Sequence, residues 1–345
     1  MTAAAPEGRT RATIDLAHPT QHRHRRGAME GKLKVFSGSA HKDLAQAICD
    51  HLDVPLSASE TIKFSNENLM VKIQENVREC DVFVVQASAP PVNEGIVELL
   101  IMIDALRHAS AARVTAVVPY FPYCRSDKKD RPRISITARL MADLLQTAGA
   151  NRVLTMDLHS PQIQGFFHVP ADNLLSAPLI CDWYRERDLS NYVLVAADAG
   201  EAKELGRYAN RLHLPIAIID KRRYGDDDTA RAQHLIGDVR GKHCLIVDDE
   251  IATAGTLIEA AQFLEREGAI SVRAAATHPV LCGPAMERIA ASNLEELVVC
   301  DTIPVRHKID TERLAQQFTV LPVAHLFARA IRRIHDGDSV SDLFW

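Results

Sequence analysis

From residue 33 onward, short apolar runs alternate with amphipathic segments, and this alternation restricts the possible folds more than any other feature of the chain. Runs at 33–36, 81–87, 114–118, 153–157, 192–197, 216–220, 243–248, 271–277 and 297–300 read as strands. Between them lie helical patterns. In 136–148 the apolar positions 136, 140, 141, 144, 145 and 148 share one face at helical spacing. In 256–267 Leu257, Ala260, Ala261 and Leu264 do the same, and Gly268 stands where a helix would stop. Strands buried on both faces and separated by helices imply parallel sheets, because a parallel connection needs a crossover helix. Nine such strands over roughly 270 residues divide better into two domains than into one sheet. The expected class is therefore α/β, with two doubly wound parallel-sheet domains. The joint is expected near 170–178, where neither pattern is evident.

Composition narrows the function classes. A hydrophobic share of 47% with 25% charged residues suits a chain able to bury a real core. The net charge of −5 gives no reason to expect nucleic-acid binding, and a phosphate ligand would need local cations. Apolar runs are short and flanked by charge, so no membrane partner is expected. The seven cysteines are scattered without a C-x-x-C pair, which fits reduced thiols and a cytoplasmic location. Residues 1–30, with the basic run His22 to Arg26 and no apolar core, read as a disordered leader.

In open α/β sheets, ligands bind at the carboxyl ends of the strands. The most specific signal there is Cys244-Leu245-Ile246-Val247-Asp248-Asp249-Glu250-Ile251-Ala252-Thr253-Ala254-Gly255-Thr256. An apolar strand ends on acids, and a turn of small residues then opens a helix. Backbone N–H groups at that helix start, with the Thr253 and Thr256 hydroxyls, suit a phosphate monoester. The Asp248 and Asp249 carboxylates suit sugar hydroxyls or a metal ion. Plain turn chemistry before a helix is the bland alternative.

That string resembles the phosphoribosyl-binding loop shared by type I phosphoribosyltransferases and ribose-phosphate pyrophosphokinases. Other segments point to the pyrophosphokinases. Residues 89–106, Pro119-Tyr120-Phe121-Pro122-Tyr123, Asp157-Leu158-His159 and 162–167 look like that family's N-terminal half. Ile219-Asp220-Lys221-Arg222-Arg223, Thr277-His278-Pro279-Val280-Leu281 and the terminal 339–344 are similar to its remainder. The resemblance runs from about residue 32 to the end. It implies two domains of the type I phosphoribosyltransferase kind, at 31–175 and 176–317. It also leads us to expect that 318–345 packs back on the first domain.

By resemblance, the reaction would move the β,γ-pyrophosphoryl group of ATP to the anomeric hydroxyl of ribose 5-phosphate, giving phosphoribosyl pyrophosphate and AMP. Such chemistry depends on positioning and on charge neutralisation by Mg²⁺ and cationic side chains. The implied roles follow position by position. Lys221 and Arg223 would be catalytic. Asn66, Glu67, Asn68, Arg125, Ser126 and His159 would bind ATP, with the loop around Asn66 supplied by a neighbouring subunit. Asp248, Asp249, Ala252, Thr253, Ala254, Gly255 and Thr256 would hold the ribose phosphate. His159 and Asp198 would meet Mg²⁺. The family assembles from homodimers, often into hexamers, so a homo-oligomer is implied.

Departures from the family pattern cluster around the nucleotide and the pyrophosphate. Phe-Ser-Asp-Gly-Glu is replaced by Phe64-Ser65-Asn66-Glu67-Asn68, and an Arg-Gln pair by Arg125-Ser126. Asp-His-Gly-Gly becomes Asp198-Ala199-Gly200-Glu201, the loop aspartate becomes Ala252, and Arg-Pro-Arg-Pro becomes Tyr224-Gly225-Asp226-Asp227-Asp228. Two further readings stay open at this point. One is a pyrophosphokinase with a changed donor or acceptor; the other is a catalytically weak subunit associated with an active homologue.

Overall fold

The computed structural model describes residues 31–198, 200, 202–223 and 231–343, the side chains of 202, 203, 221–223 and 231–233 excepted. The leader expected at 1–30 therefore lies outside the described residues, as do Ala199, Glu201 and 224–228.

The first half runs β1 (Leu33–Ser37), α1 (Lys42–Leu52), β2 (Ser59–Lys63), β3 (Leu69–Ile73), β4 (Asp81–Val85), α2 (Val92–His108), β5 (Arg113–Val118), α3 (Thr137–Ala148), β6 (Arg152–Met156) and β7 (Ala171–Leu174). Five strands form a parallel sheet in the order β1-β4-β5-β6-β7. All five residues of β4 are buried, as a central strand covered on both faces requires. β2 and β3 stand apart as an antiparallel hairpin, with Glu60, Thr61, Lys63, Met70 and Lys72 exposed. Within the stretch 170–178, where no strand pattern was expected, β7 pairs with β6 as the last strand of this sheet. Its sequence Ala-Asp-Asn-Leu has no β-branched residue, so no strand pattern was visible.

The second half runs α4 (Ala177–Arg185), β8 (Tyr192–Ala196), α5 (Ala202–Leu212), β9 (Ile216–Arg223), β10 (Arg231–Ile236), β11 (His243–Glu250), α6 (Gly255–Arg266), β12 (Ser271–His278), α7 (Ala285–Ala290), β13 (Glu296–Cys300), α8 (Glu312–Gln317), β14 (Phe318–Leu321) and α9 (Ala324–Asp336). Its seven-stranded sheet has the order β10-β9-β8-β11-β12-β13-β14, parallel except at the β9–β10 pair. α6 buries Leu257, Ala260, Ala261, Phe263 and Leu264, the face its spacing predicts. The stop at Gly268 also holds: its φ of 94° is left-handed, and its N–H donates to the Glu265 carbonyl at 3.0 Å.

The two sheets share one apolar cluster. Val35, Phe83 and Leu154 of the first join Leu194, Leu245 and Val298 of the second, with Leu44, Ile48, Phe327 and Ile331 from α1 and α9 between them. Residue 318 opens not a returning segment but β14, an edge strand of the second sheet. The chain crosses back only in α9, where Arg332 donates to the Leu52 carbonyl at 2.6 Å.

A buried ionic cluster pins that crossing. Asp81, fully buried at the start of β4, accepts from Arg113 Nε at 2.7 Å and Nη2 at 2.5 Å. His335 Nδ1 lies 2.9 Å from the same carboxylate, and Arg113 also donates to the Ile334 carbonyl at 3.0 Å. Removing one partner of such a cluster strands the others away from water. Asp81→Ala is expected to cost about 3 kcal/mol of folding stability. Urea unfolding would read this, and a midpoint unchanged from wild type would show that the cluster contributes nothing.

Candidate active site where the two sheets meet

The carboxyl ends of β6, β8 and β11 open on one cleft of ≈ 590 Å³. Asp157, His159 and Ser160 line it from the first half, and Asp198, Gly200, Glu204, Arg207, Asp248 and Asp249 from the second. Four of the residues expected from sequence, His159, Asp198, Asp248 and Asp249, thus meet at one place.

Their arrangement is set by hydrogen bonds that cross between the halves. His159 Nδ1 lies 2.7 Å from Asp249 Oδ2, a contact spanning 90 positions of sequence. The Asp249 hydrogen bond raises the imidazole's proton affinity and outweighs burial, which acts the other way. Burial also works against the Asp249 carboxylate, but the bonds from His159 and Asp248 prevail and hold it well below the usual carboxylate range. Both shifts favour an ion pair. The sign for pH dependence follows from the raised imidazole. The pair's contribution is in place below the ordinary histidine value and is lost as pH rises through the raised one. At the acid end it is lost only as pH falls through the depressed Asp249 value. The imidazole signals of His159 in an NMR titration should therefore move at a higher pH in the wild type than in Asp249→Asn; coincident midpoints would contradict the pairing.

Asp157 is a contributor that sequence reasoning quoted without a role. Its Oδ2 accepts from the Ser176 N–H at 2.9 Å and the Thr277 hydroxyl at 2.7 Å. Ser176 and Thr277 also bond to each other at 2.6 Å. This triangle ties the end of β6 to the start of α4 and the end of β12. A strand ending in Asp is the only signal that marked it.

The 252–256 turn connects β11 to α6. Ala254 holds a left-handed φ of 59°, and its side chain offers no cap to the helix. A helix start without a side-chain cap leaves N–H groups for another acceptor. Arg288 Nη1 braces the turn through the Thr253 carbonyl at 2.9 Å, and the Cys282 N–H donates to Ala252 O at 2.8 Å. A Cβ on Gly255 would come within 3.2 Å of that guanidinium, a reason for glycine there.

The other expected residues fall elsewhere. Arg125 sits beside β11, its Nη1 3.5 Å from Glu250 Oε1. The Ser126 hydroxyl is engaged at the start of α3, 3.3 Å from the Thr137 N–H and hydroxyl. Asn66, Glu67 and Asn68 form the exposed tip of the β2–β3 hairpin and do not line the cleft. Lys221 and Arg223 close β9 by their backbone; their side chains lie outside the described structure.

Comparison with known proteins places this architecture. Residues 33–149 match the model of the N-terminal domain of ribose phosphate pyrophosphokinase, and 229–345 match the phosphoribosyl synthetase-associated domain. The chain is 52% identical over 315 residues to the ribose-phosphate pyrophosphokinase of Deinococcus radiodurans, covering 90% of this chain and 98% of that one. It belongs to the ribose-phosphate pyrophosphokinase family. The family's protein from Corynebacterium ammoniagenes is 46% identical over 318 residues, 92% of this chain and 98% of its own. The crystal structure of phosphoribosylpyrophosphate synthetase from Mycobacterium smegmatis superposes with a TM-score of 0.83 at 40% identity, covering 89% of this chain and 99% of that one. Family membership also gives the fold its kind, that of the type I phosphoribosyltransferases.

Mg²⁺ is the metal that the family implies, and the donor set suits it. Asp198, Asp248 and Asp249 bring carboxylate oxygens to the cleft. Mg²⁺ keeps several waters and is usually held by one or two carboxylates plus substrate phosphates, so a complete protein cage is not required. Among the described residues no group of three or more His, Cys, Asp or Glu forms such a cage. With Nδ1 of His159 given to Asp249, only Nε2 is left to face a ligand.

Proposed function

We infer that this chain is a ribose-phosphate pyrophosphokinase, transferring the β,γ-pyrophosphoryl group of ATP to the anomeric hydroxyl of ribose 5-phosphate. The anomeric oxygen attacks the β-phosphorus, the bond to the oxygen bridging α and β breaks, and AMP leaves. The observation that carries this reading is the His159–Asp249 bond. It joins His159, just after β6 in the first sheet, to Asp249, the residue before the end of β11 in the second.

In this reading the uncapped start of α6, with Ala252, Thr253, Ala254, Gly255 and Thr256, takes the 5-phosphate. Asp248 and Asp249 accept from the ribose hydroxyls. His159 and Arg125 face the nucleotide, with Ser126 acting through its backbone or through α3. Asp198, with His159 nearby, meets Mg²⁺, which neutralises phosphate charge when bound. Lys221 and Arg223 stabilise the transferring group. The functional units are 31–175 and 176–317, with α9 of the 318–345 segment returning to the first.

The working form is a homo-oligomer. Among the described residues, six of the nine large exposed apolar side chains, Phe64, Met70, Val97, Tyr123, Ile134 and Leu140, lie in the first half, which supports a partner-covered surface there. Asn66, Glu67 and Asn68 then serve a neighbouring subunit's nucleotide. A cytoplasmic setting fits seven free thiols, six of them buried. Among the described residues no helix is long and apolar enough to cross a membrane.

The test is AMP release with a panel of nucleotide donors. AMP is expected from ATP only when ribose 5-phosphate and Mg²⁺ are both present, and excess chelator should abolish it. AMP released without ribose 5-phosphate, or none with any donor, would refute the reading.

A further inference from the structure

Glu250 is the third acid after β11's apolar run, and neither the phosphate turn nor the ribose acids account for it. It is buried, yet it carries a charge-bearing group. Its partners all come from the loop after β5 in the other half. Tyr120 donates its hydroxyl to Oε2 at 2.8 Å, and the Cys124 thiol approaches the same oxygen at 3.8 Å. Arg125 Nη1 lies 3.5 Å from Oε1. Both carboxylate oxygens are thus engaged, and the loop's only cation in contact is Arg125.

The surroundings keep the Tyr120 hydroxyl and the Cys124 thiol as donors. Burial pushes the Tyr120 phenol well up, and Glu250 and Cys124 add to it, so the phenol stays a donor. Burial pushes the Cys124 thiol up to about 12 in the same way. Tyr120 and Cys124 thus face Glu250 as donors, and removing the cation beside a buried carboxylate is costly. The loop is held from a second side as well. Tyr120 packs on His278 with ring centroids 4.8 Å apart, and His278 is Glu250's neighbour in the β11–β12 ladder. His278 is itself fixed, with Nε2 3.1 Å from the Met156 and Asp157 carbonyls and Nδ1 2.9 Å from the Thr302 hydroxyl.

We propose that Glu250 is a positioning residue for the nucleotide: it holds Arg125, through a carboxylate anchored by Tyr120, in fixed register with the strand that carries Asp248 and Asp249. One short peptide segment then sets the distance between the two substrates, with sugar acids at 248 and 249 and the brace on the nucleotide arginine at 250. The Arg125 side chain is 65% exposed while that of Glu250 is 6% exposed, so the guanidinium, held at Nη1, still presents its remaining N–H groups and faces to a ligand. Transfer between two bound substrates depends on such register, since misplacement by about 1 Å can cost about 100-fold in rate. This inference rests on the pyrophosphokinase reading.

Steady-state kinetics of Glu250→Gln, Arg125→Ala and the double variant test it, with Tyr120→Phe as a second probe of the same anchor. Glutamine keeps an acceptor for Tyr120 but turns its amide, a donor, towards the guanidinium. Glu250→Gln is expected to raise KM for ATP about tenfold while KM for ribose 5-phosphate stays within about twofold. In the Arg125→Ala background the same change should add less than about twofold, because Glu250 acts through that arginine. Tyr120→Phe should raise KM for ATP about threefold. Additive effects of Glu250→Gln and Arg125→Ala, or equal changes in both KM values, would overturn the proposal. If Glu250→Gln does not fold, the Tyr120→Phe and Arg125→Ala cycle decides by the same criterion. Wild-type turnover in the same assay reports separately on the pyrophosphokinase reading. If wild type is inactive, calorimetric binding of ATP to the same variants carries the cycle.

Discussion

Replacing Lys221 with alanine is expected to lower kcat by about 10²–10³-fold while KM for ribose 5-phosphate changes by less than about threefold. The reasoning starts from backbone placement. β9 runs parallel to β8, with Leu194 opposite Ile216 and Ala196 opposite Ile218. Its carboxyl end therefore lies on the same side of the sheet as Asp198 and the 252–256 turn. A lysine there is suited to charge that develops on the transferring pyrophosphoryl group, and such a contact is made mainly in the transition state. The loss should accordingly fall on kcat. A variant whose whole defect lay in the ribose 5-phosphate KM would assign Lys221 to ground-state binding instead.

The second large effect concerns the acceptor side. Asp249→Ala is expected to lower kcat/KM for ribose 5-phosphate by about 10³-fold. Two losses combine there. A sugar hydroxyl loses its acceptor, and His159, whose Nδ1 rests 2.7 Å from that carboxylate, loses its orientation. Asp249→Asn keeps the size and one acceptor oxygen but not the charge that favours the imidazolium, so it should fall between alanine and wild type. Rates with ribose 5-phosphate varied at saturating ATP measure this. Equal activity of the alanine variant and wild type would remove Asp249 from the site.

Legibility in the sequence followed burial. Eight of the nine strands read from sequence are central in their sheets, the edge strand β1 being the exception, and they were visible because both faces are covered, as in β8, where every residue from Tyr192 to Ala196 is buried. The strands that escaped notice sit at edges or outside the sheets. β10 reads Arg-Ala-Gln-His-Leu-Ile and β7 Ala-Asp-Asn-Leu, while β2 and β3 pair only with each other. An edge or hairpin strand has less to bury, so its apolar pattern is weak. β14 was missed for a different reason: Phe318–Leu321 follows α8 without a break, and a short apolar run there has no turn signal before it. At the site, the acids after β11 and the small-residue turn were legible because the chemistry is contiguous. The His159–Asp249 bond, the Asp157–Ser176–Thr277 triangle and the Glu250 anchor were not. Each joins residues about 20 to 130 positions apart, and no local pattern encodes such pairings.

The departures from the family pattern take on a physical sense in this geometry. Ser126 caps α3 by its hydroxyl, so a polar side chain at that position has a structural use without an amide. Ala252 keeps the backbone contact to Cys282 that shapes the turn, and a side-chain carboxylate is not needed for it. Neither change removes the acids of β11 or the imidazole that faces them.

The most direct measurement is phosphorus NMR of the purified protein with ATP, ribose 5-phosphate and Mg²⁺. The account predicts that AMP grows in equal amount with a pair of mutually coupled phosphorus signals, attached to the sugar and distinct from free pyrophosphate. ADP with a singly phosphorylated anomeric position, or ATP left unconsumed, would contradict it.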